Sequence, residues 1–441
     1  MSTDLQTCAV LSEPSLPEVH SSVRVSRSPI YWRRLLGFLG PGFLISVGYM
    51  DPGNWATDIA GGSRFGYTLL SVIMASNLMA ILLQSLSLKL GVATERDLAQ
   101  LCNESYGRWM SFFLWVGAEI AIAACDLAEV IGSAIALNLL FHIPLFYGVL
   151  ITGLDVLLIL LMQRWGFRYV EALVIALIGT IIAMFGVQLF LSRPEYWPAL
   201  KNLVVPAPSI VTNPDMLYIA IGMLGATVMP HNLYLHSSIV QSRNYKRTPQ
   251  GKREAIFMAN VDSALALTVA LFVNAAIVVV AAAVFYRSGH FEVAAIEDAY
   301  KLLSPLVGAA GASTIFAIAL LASGQNSSIT GTLAGQVVME GFIHIKLSPW
   351  LRRLITRSLA IIPTIIVVAF TGERGTETLL LLSQVILSLQ LSFAVIPLVL
   401  FTGSRKKMGE FVNGPWLQGA SWFVAALIAG LNAWFLAMML K

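Results

Sequence analysis

The chain has 441 residues, of which 57% are hydrophobic and only 12% are charged, and its formal net charge is +4 at pH 7. Soluble domains carry about 25% charged residues, so this composition excludes an ordinary soluble protein and indicates an integral membrane protein. The three cysteines, Cys8, Cys102 and Cys125, share no short spacing, which argues against a disulfide framework and a zinc motif. No G-x-x-x-x-G-K-[ST] segment is present, so we do not expect ATP to drive the process. We also expect that the chain is not an enzyme.

Apolar segments long enough to cross ~30 Å of hydrocarbon recur from the first third of the chain to its end. We predict an all-α integral membrane protein with eleven transmembrane helices, at about residues 36–63, 67–91, 109–140, 145–163, 169–192, 216–242, 255–285, 311–343, 350–370, 377–402 and 415–440. Residues 1–34 are polar and lack a signal-peptide pattern, so we interpret them as a cytoplasmic amino-terminal tail that precedes a membrane domain at 35–440.

The basic residues are distributed unevenly between the predicted loops. With the amino terminus inside, the cytoplasmic segments hold 21 of the 28 lysines and arginines. Cytoplasmic loops of membrane proteins carry such an excess, so we predict a cytoplasmic amino terminus and an external carboxy terminus. No outer loop has a glycosylation sequon. With the short tails, this favours the plasma membrane of a bacterium.

Two predicted spans are interrupted by polar, proline-containing segments. Asp51-Pro52-Gly53-Asn54 interrupts the first span, and Met229-Pro230-His231-Asn232 interrupts the sixth. A carboxylate near the bilayer centre costs roughly 2.5–3.5 kcal/mol on insertion scales. Proline also releases backbone carbonyls that lipid cannot satisfy. Such breaks persist where they line a cavity, and transporters use them to hold ions at the membrane midplane.

The spacing of the two breaks indicates an internal repeat. The first ten spans divide into two sets of five, at about 36–192 and 216–402, and each set opens with a broken helix; a further helix follows at about 415–440. An odd number of spans per set makes the two halves run in opposite directions. This arrangement is typical of inverted-repeat secondary transporters.

The donor types at the breaks suggest a metal ion as the bound species. Asp51 and Asn54 offer oxygen donors, and the carbonyls around Ala226 are freed by the second break. Met229 adds a thioether, a soft donor that favours transition metals over magnesium and calcium. The alternative is that Met229 only fills space in an apolar core, as methionine commonly does.

Polar residues of the third and sixth spans suggest a route for protons. Glu119, Asp126 and Glu129 fall within an arc of about 80° on one helix, as carboxylates of a proton relay would. Salt bridges to the ninth-span arginines, Arg352, Arg353 and Arg357, are the alternative reading of these acids. His231 and His236 lie about 140° apart around one helix. They therefore cannot both bind one ion, and we interpret His231 as a proton carrier or site neighbour and His236 as structural.

The eighth and tenth spans contain further polar side chains. The eighth span carries a stretch of small and hydroxylic residues, 323–332, which we interpret mainly as a helix-packing surface. The tenth span carries Gln384 and Gln390, and an amide on its core-facing side could complete a metal-binding shell.

Three segments resemble the natural resistance-associated macrophage protein (Nramp) family of divalent-metal transporters. They are D-P-G-N in the first span, G-A-T-V-M-P-H-N-L-Y-L-H-S in the sixth and A-S-G-Q-N-S-S-I-T-G-T-L-A-G-Q in the eighth. The resemblance covers about residues 30–440. It implies a leucine-transporter-like fold of two inverted five-helix repeats plus an eleventh helix, with helices 1 and 6 discontinuous. It also implies proton-coupled import of manganese or ferrous iron, with cadmium-like soft ions accepted.

The same resemblance implies residue roles. The metal ligands carry over to Asp51, Asn54, the Ala226 carbonyl, Met229 and, from the tenth span, Gln384 rather than Gln390. The proton pathway carries over to His231, Glu119, Asp126, Glu129 and the arginines Arg352, Arg353 and Arg357. No resident cofactor, nucleic acid or obligate protein partner is expected.

Two other functions fit parts of the pattern. A sodium-coupled amino-acid symporter would need a helix amino terminus free to bind a substrate carboxylate. Here the anionic Asp51 and the thioether of Met229 are expected at that position instead. A metal-sensing receptor or channel would bind without coupled transport. The short tails argue against a sensor.

Overall fold

The computed structural model describes residues 14–26, 28–153, 166–293, 295–309, 311–343, 351, 355, 358, 361–366 and 374–439. In the amino-terminal half the helices are α1 (Tyr31–Phe38), α2 (Pro41–Ser46), α3 (Pro52–Phe65), α4 (Leu70–Thr94), α5 (Leu98–Ser105), α6 (Arg108–Phe141) and α7 (Phe167–Ser192). Residues 145–153 are helical as well.

In the carboxy-terminal half, short helices α8 (Tyr196–Val204) and α9 (Ser209–Thr212) lead into the second broken span. The remaining helices are α10 (Pro214–Thr227), α11 (Pro230–Ile239), α12 (Pro249–Ala281), α13 (Ile296–Val307), α14 (Ala312–Ile343), α15 (Arg374–Thr402), α16 (Arg405–Met408) and α17 (Pro415–Met439). Two-residue strands β1 (Val23–Arg24) and β2 (Arg243–Asn244) pair in parallel.

Seven helices among the described residues are long and apolar enough to cross a membrane. They include α4, α6, α7, α12, α15 and α17, and the combined α10–α11 segment Pro214–Ser242. The long helix α14 corresponds to the predicted eighth span, and its polar stretch lowers its hydropathy. The predicted fourth and ninth spans lie partly outside the described residues, so the number eleven stays a prediction.

Proline chemistry explains where the two broken helices stop and restart. Pro52 and Pro230 each occupy the first position of a new helix, where a missing N–H costs nothing. A proline cannot donate to the carbonyl four residues earlier, so Gly48 and Ala226 lose their helical partners. Both breaks therefore expose a main-chain oxygen inside the bundle.

Small residues bring the surrounding helices close to the breaks. A Cβ on Gly132 of α6 would collide with the Pro52 ring, and one on Gly53 would collide with the Gln384 side chain of α15. A Cβ on Gly225 would overlap the Gln384 main-chain oxygen. Helices α6, α10 and α15 therefore converge on the two breaks.

Candidate metal centre

The side-chain amide of Asn54 joins the two breaks. Its Nδ2 donates to the Gly48 oxygen at 3.2 Å, to Asp51 Oδ1 at 2.8 Å and to the Ala226 oxygen at 3.1 Å. Two of these acceptors are the carbonyls that Pro52 and Pro230 set free. The NH₂ group thus occupies the centre of three oxygens, the environment a cation prefers. Turning the amide would direct Oδ1 to the same point as a fourth oxygen.

Further acceptors around the breaks have no hydrogen-bond donor. Buried oxygens without a partner include Asp51 Oδ2, Asn232 Oδ1, Asn274 Oδ1 and Gln384 Oε1. Buried polar atoms are normally paired, so a group of orphaned acceptors needs an explanation. All of them are electron-pair donors, the kind of atom that a positively charged ion binds.

Met229 faces the same space from the second break. A Cβ on Gly48 would lie 3.1 Å from Met229 Sδ, so the thioether reaches the first break. Asn232 Nδ2 lies 3.7 Å from that sulfur. Met229 also packs against Ala121, Cys125 and Leu387. The packing interpretation and the ligand interpretation of Met229 are therefore compatible.

The predicted ligands come together in the fold. Asp51, Ala226, Met229 and Gln384 have no measurable exposure, and Asn54 is 1% exposed. Gln384 lies against Gly53, whereas Gln390 lies near Gly117 of α6. Within the described part of the chain, no cluster of three or more His, Cys, Asp or Glu side chains forms a metal site. The centre is thus built on one carboxylate, with neutral donors around it.

The carboxylates of the third predicted span lie next to this centre in space. Cys125 Sγ, which packs on Met229, donates to Glu129 Oε1 at 3.6 Å. A Cβ on Gly331 of α14 would lie 3.0 Å from both Asp126 Oδ1 and Glu129 Oε1, so the two carboxylates face one point. Glu119 lies two turns earlier, half-buried, and accepts from Trp115 Nε1 at 3.1 Å.

The two histidines of the sixth span have different surroundings. His231 is 1% exposed, and neither of its ring nitrogens has a partner. His236 Nδ1 pairs with Gln84 Oε1 at 2.9 Å, and Gln84 donates to the Tyr49 hydroxyl at 2.8 Å, in agreement with a structural role. Arg352, Arg353 and Arg357 lie outside the described residues.

The eighth-span polar stretch contacts both the first break and the third-span acids. Ser323 Oγ donates to the Met50 oxygen at 2.5 Å, beside the first break. A Cβ on Gly324 would overlap Ser133 Oγ of α6. The small residues thus allow α14 to pack against α6, and one hydroxyl satisfies another carbonyl that the first break leaves open.

A second polar site, which the sequence pattern did not predict, closes one end of the bundle. Arg243 and Glu171 are 0% and 2% exposed, and Arg243 Nη1 donates to Glu171 Oε1 at 2.8 Å. Arg243 Nη2 also donates to the Leu39 oxygen at 2.8 Å. Asp262 accepts from the Gly40 N–H at 3.2 Å and the Gly42 N–H at 2.6 Å. We call Glu171, Arg243 and Asp262 the arginine cluster.

The arginine cluster ties four helices together. It connects the end of α1 and the start of α2 with α7, with the segment after α11 and with α12. The end of the bundle that carries this cluster and residues 14–26 is called the amino-terminal face below. Because α2 and α11 are halves of the two broken spans, the cluster connects both halves to α7 and α12 beside the candidate metal centre.

The sequence profile described as natural resistance-associated macrophage protein-like matches residues 42–438. The chain belongs to the Nramp family. It is 62% identical over 429 residues to the "Divalent metal cation transporter MntH" of Nostoc sp., a match that covers 97% of each chain.

Solved structures agree with this membership. The crystal structure of the Eremococcus coleocola manganese transporter superposes with a TM-score of 0.89 at 43% identity, over 95% of this chain and 90% of that one. Mhp1, a nucleobase-cation-symport-1 family transporter, shares the fold alone, with a TM-score of 0.60 at 13% identity over 91% of this chain and 93% of its own. The predicted fold class, an all-α leucine-transporter-like membrane protein, is confirmed.

Proposed function

We propose that this Nramp-family chain is a proton-coupled importer of a divalent transition-metal ion, manganese or ferrous iron. The observation that carries the proposal is the Asn54 amide among the oxygens of Gly48, Asp51 and Ala226, with Met229 alongside. The names of the Nostoc and Eremococcus coleocola relatives, which specify divalent metal and manganese, support the same substrate class.

The proposed ligands contribute three different kinds of donor. Asp51 supplies the negative charge, and Asn54, Ala226 and Gln384 supply neutral oxygens. Met229 supplies a soft donor, which binds manganese, iron and especially cadmium better than calcium or magnesium. Calcium is usually bound by six to eight oxygens, and magnesium is usually bound by six oxygens in an octahedron. A thioether among the ligands therefore disfavours both ions.

The proposed proton route starts at the metal centre and continues along α6. His231 lies two residues after Met229, and Cys125 connects the Met229 side chain with Glu129. Asp126 and Glu129 share one face toward Gly331, and Glu119 extends that face by two turns. Arg352, Arg353 and Arg357 remain the proposed far end of this route, on sequence grounds alone.

Alternating access is the proposed mode of movement. The ligands are buried and the arginine cluster closes the amino-terminal face, so an ion at the centre can leave there only if the cluster opens. Opening would move α2 and the end of α11 away from α7 and α12. We further propose that this face is cytoplasmic and the carboxy terminus external, in a cell membrane, as the distribution of basic residues predicts.

Metal uptake into proteoliposomes tests the proposal. We expect manganese to accumulate when the external pH is below the internal pH, and an inward sodium gradient to have no effect. Acidification of the lumen should track metal entry. Accumulation that depends on sodium and carries an amino acid would instead indicate the symporter alternative, and metal binding without uptake would indicate a sensor.

A further inference from the structure

Residues 15–24, called the strap below, are packed into the body of the protein although their sequence is polar. Leu16 is 1% exposed, and Val19 and Val23 are each 6% exposed. All three belong to the main hydrophobic cluster of the bundle. Leu16 and Ser21 adopt left-handed backbone conformations, with φ of 55° and 54°. Residues other than glycine rarely adopt this conformation, so the surrounding contacts hold the strap in a specific path.

The strap bonds to two different parts of the amino-terminal face. The Leu16 N–H donates to Glu340 Oε2 of α14 at 2.9 Å. The Ser21 N–H donates to the Gln241 oxygen at 2.9 Å. Val23 pairs with Arg243, so β1 lies against the residue that closes the arginine cluster. The strap therefore ties the end of α11 to α14.

These contacts constrain the movement that alternating access requires. If the end of α11 leaves its closed position, Gln241 and Arg243 separate from α14, and the strap cannot bond to both sides at once. Its three buried apolar side chains also belong to the main hydrophobic cluster of the bundle. Opening the amino-terminal face would expose them to water.

We propose that the strap is a latch that stabilises the closed amino-terminal face and is released when that face opens. This inference rests on the proposed alternating access. It is independent of the identity of the metal and of proton coupling. A chain with a weakened latch spends more of its time open at this face, with or without metal.

Two substitutions in β1 form a matched pair for the test. Val23→Asp places a charge at a buried position, and Arg24→Asp places the same charge at the adjacent exposed position. The reporter is Ser46→Cys on α2, which is fully buried in the closed arrangement. A second reporter, Ala281→Cys, lies 2% exposed where α12 packs against Gly62, away from the strap. Cys8 is replaced by serine, and buried Cys102 and Cys125 are kept.

Labelling with a membrane-impermeant maleimide is measured in metal-free proteoliposomes, at position 46 on the molecules whose amino-terminal face is accessible and at position 281 on those whose opposite face is accessible. We expect Val23→Asp to accelerate labelling at position 46 by about tenfold or more, a shift of ~1.4 kcal/mol. Labelling at position 281 should not change, and Arg24→Asp should change neither. Equal labelling at position 46 in the two variants would overturn the latch. Faster labelling at both reporters would also overturn it, because the strap would then be required for folding in every state. Either failure leaves the uptake experiment unaffected.

Discussion

The side-chain amide of Asn54 donates to the main-chain oxygen of Ala226 at 3.1 Å, across 172 positions of sequence. The contact exists because each residue belongs to a broken helix. Pro230 leaves the Ala226 oxygen without a helical donor, and Asp51 caps the helix on which Asn54 lies. One proline in each half of the chain thus frees one of the two main-chain oxygens of the candidate metal centre.

Met229→Ala tests the origin of selectivity. We expect manganese transport to continue with affinity reduced roughly tenfold, ~1.4 kcal/mol, and cadmium affinity to fall further because cadmium gains most from sulfur. Calcium and magnesium should become competitors. Uptake of each metal in proteoliposomes measures this. If the variant still rejects calcium and magnesium as well as the parent chain does, cavity shape and not the thioether sets selectivity.

Asp126→Asn tests the proton route. The substitution keeps the side-chain volume but removes a titratable group that faces Gly331 together with Glu129. We expect proton flux to fall strongly while metal binding persists, measured with a luminal pH dye and a metal-binding assay on the same protein. Asp298→Asn, which removes a carboxylate that is 57% exposed, is the control. Unchanged proton flux in Asp126→Asn would show that other residues carry the protons.

Gly331→Ala tests the same route from the opposite helix. Alanine favours a helix over glycine by roughly 0.5–1 kcal/mol, so α14 itself should not be weakened. The new methyl group would lie 3.0 Å from the Asp126 and Glu129 oxygens and displace them. We expect proton flux to fall and manganese binding to change little. Gly179→Ala, where a Cβ meets nothing within 4 Å, should leave both unchanged.

Glu171→Gln tests the arginine cluster. The substitution leaves Arg243 charged, buried and without its carboxylate, and breaking a buried pair in this way costs about 3–5 kcal/mol. We expect the amino-terminal face to open and Ser46→Cys to label faster. The comparison is Arg253→Gln, which breaks an exposed pair with Glu410 that contributes about 0–1 kcal/mol. Protection of position 46 in Glu171→Gln would show that other contacts close this face.

Protonation of His20 should weaken the latch. Burial and the nearby Arg247 guanidinium lower the pKa of His20, and Glu95 opposes them in part. Arg247 Nη2 lies 3.4 Å from His20 Nε2, a contact that requires neutral histidine. Glu95 is itself paired with Lys252 and Arg247. Because the docked pKa lies below the usual value of about 6.5, docking is strongest above that pH and weakens as the pH falls below it.

Labelling at position 46 measured from pH 8 to pH 5 on the amino-terminal side tests this expectation. We expect the labelling rate of the parent chain, normalised to that of a free thiol at the same pH, to rise below pH 6.5. His20→Gln keeps an acceptor for Arg247 but removes the titration, so its profile should be flatter. Identical profiles in the two proteins would assign the pH response to other groups.

The sequence alone predicted the breaks well because proline has a strict local consequence. Pro52 and Pro230 each remove a helical hydrogen bond within a polar segment of an apolar span, so both interruptions could be located from the sequence. The shared face of Asp126 and Glu129 followed from helical rotation in the same way. These are short-range effects, and they are independent of how the helices pack.

Contacts between distant segments could not be predicted in this way. Asn232 and Asn274 contribute orphaned oxygens beside the centre, yet an amide in an apolar helix gives no sign of what it faces. Glu171 and Asp262 could not be paired with Arg243, because the contact depends on how α7, α12 and the end of α11 meet. The strap was missed because its polar sequence has no periodicity, although its three apolar side chains are buried.

Anomalous X-ray diffraction from crystals grown with manganese tests the central claim most directly. We expect one strong peak among Asp51, Asn54, the Ala226 oxygen and Met229 Sδ, with the Asn54 amide turned so that Oδ1 faces the ion. Crystals of Asp51→Ala, which lacks the only carboxylate among the proposed ligands, should have no peak there. A manganese peak at another position in the bundle, with this centre empty, would contradict the account.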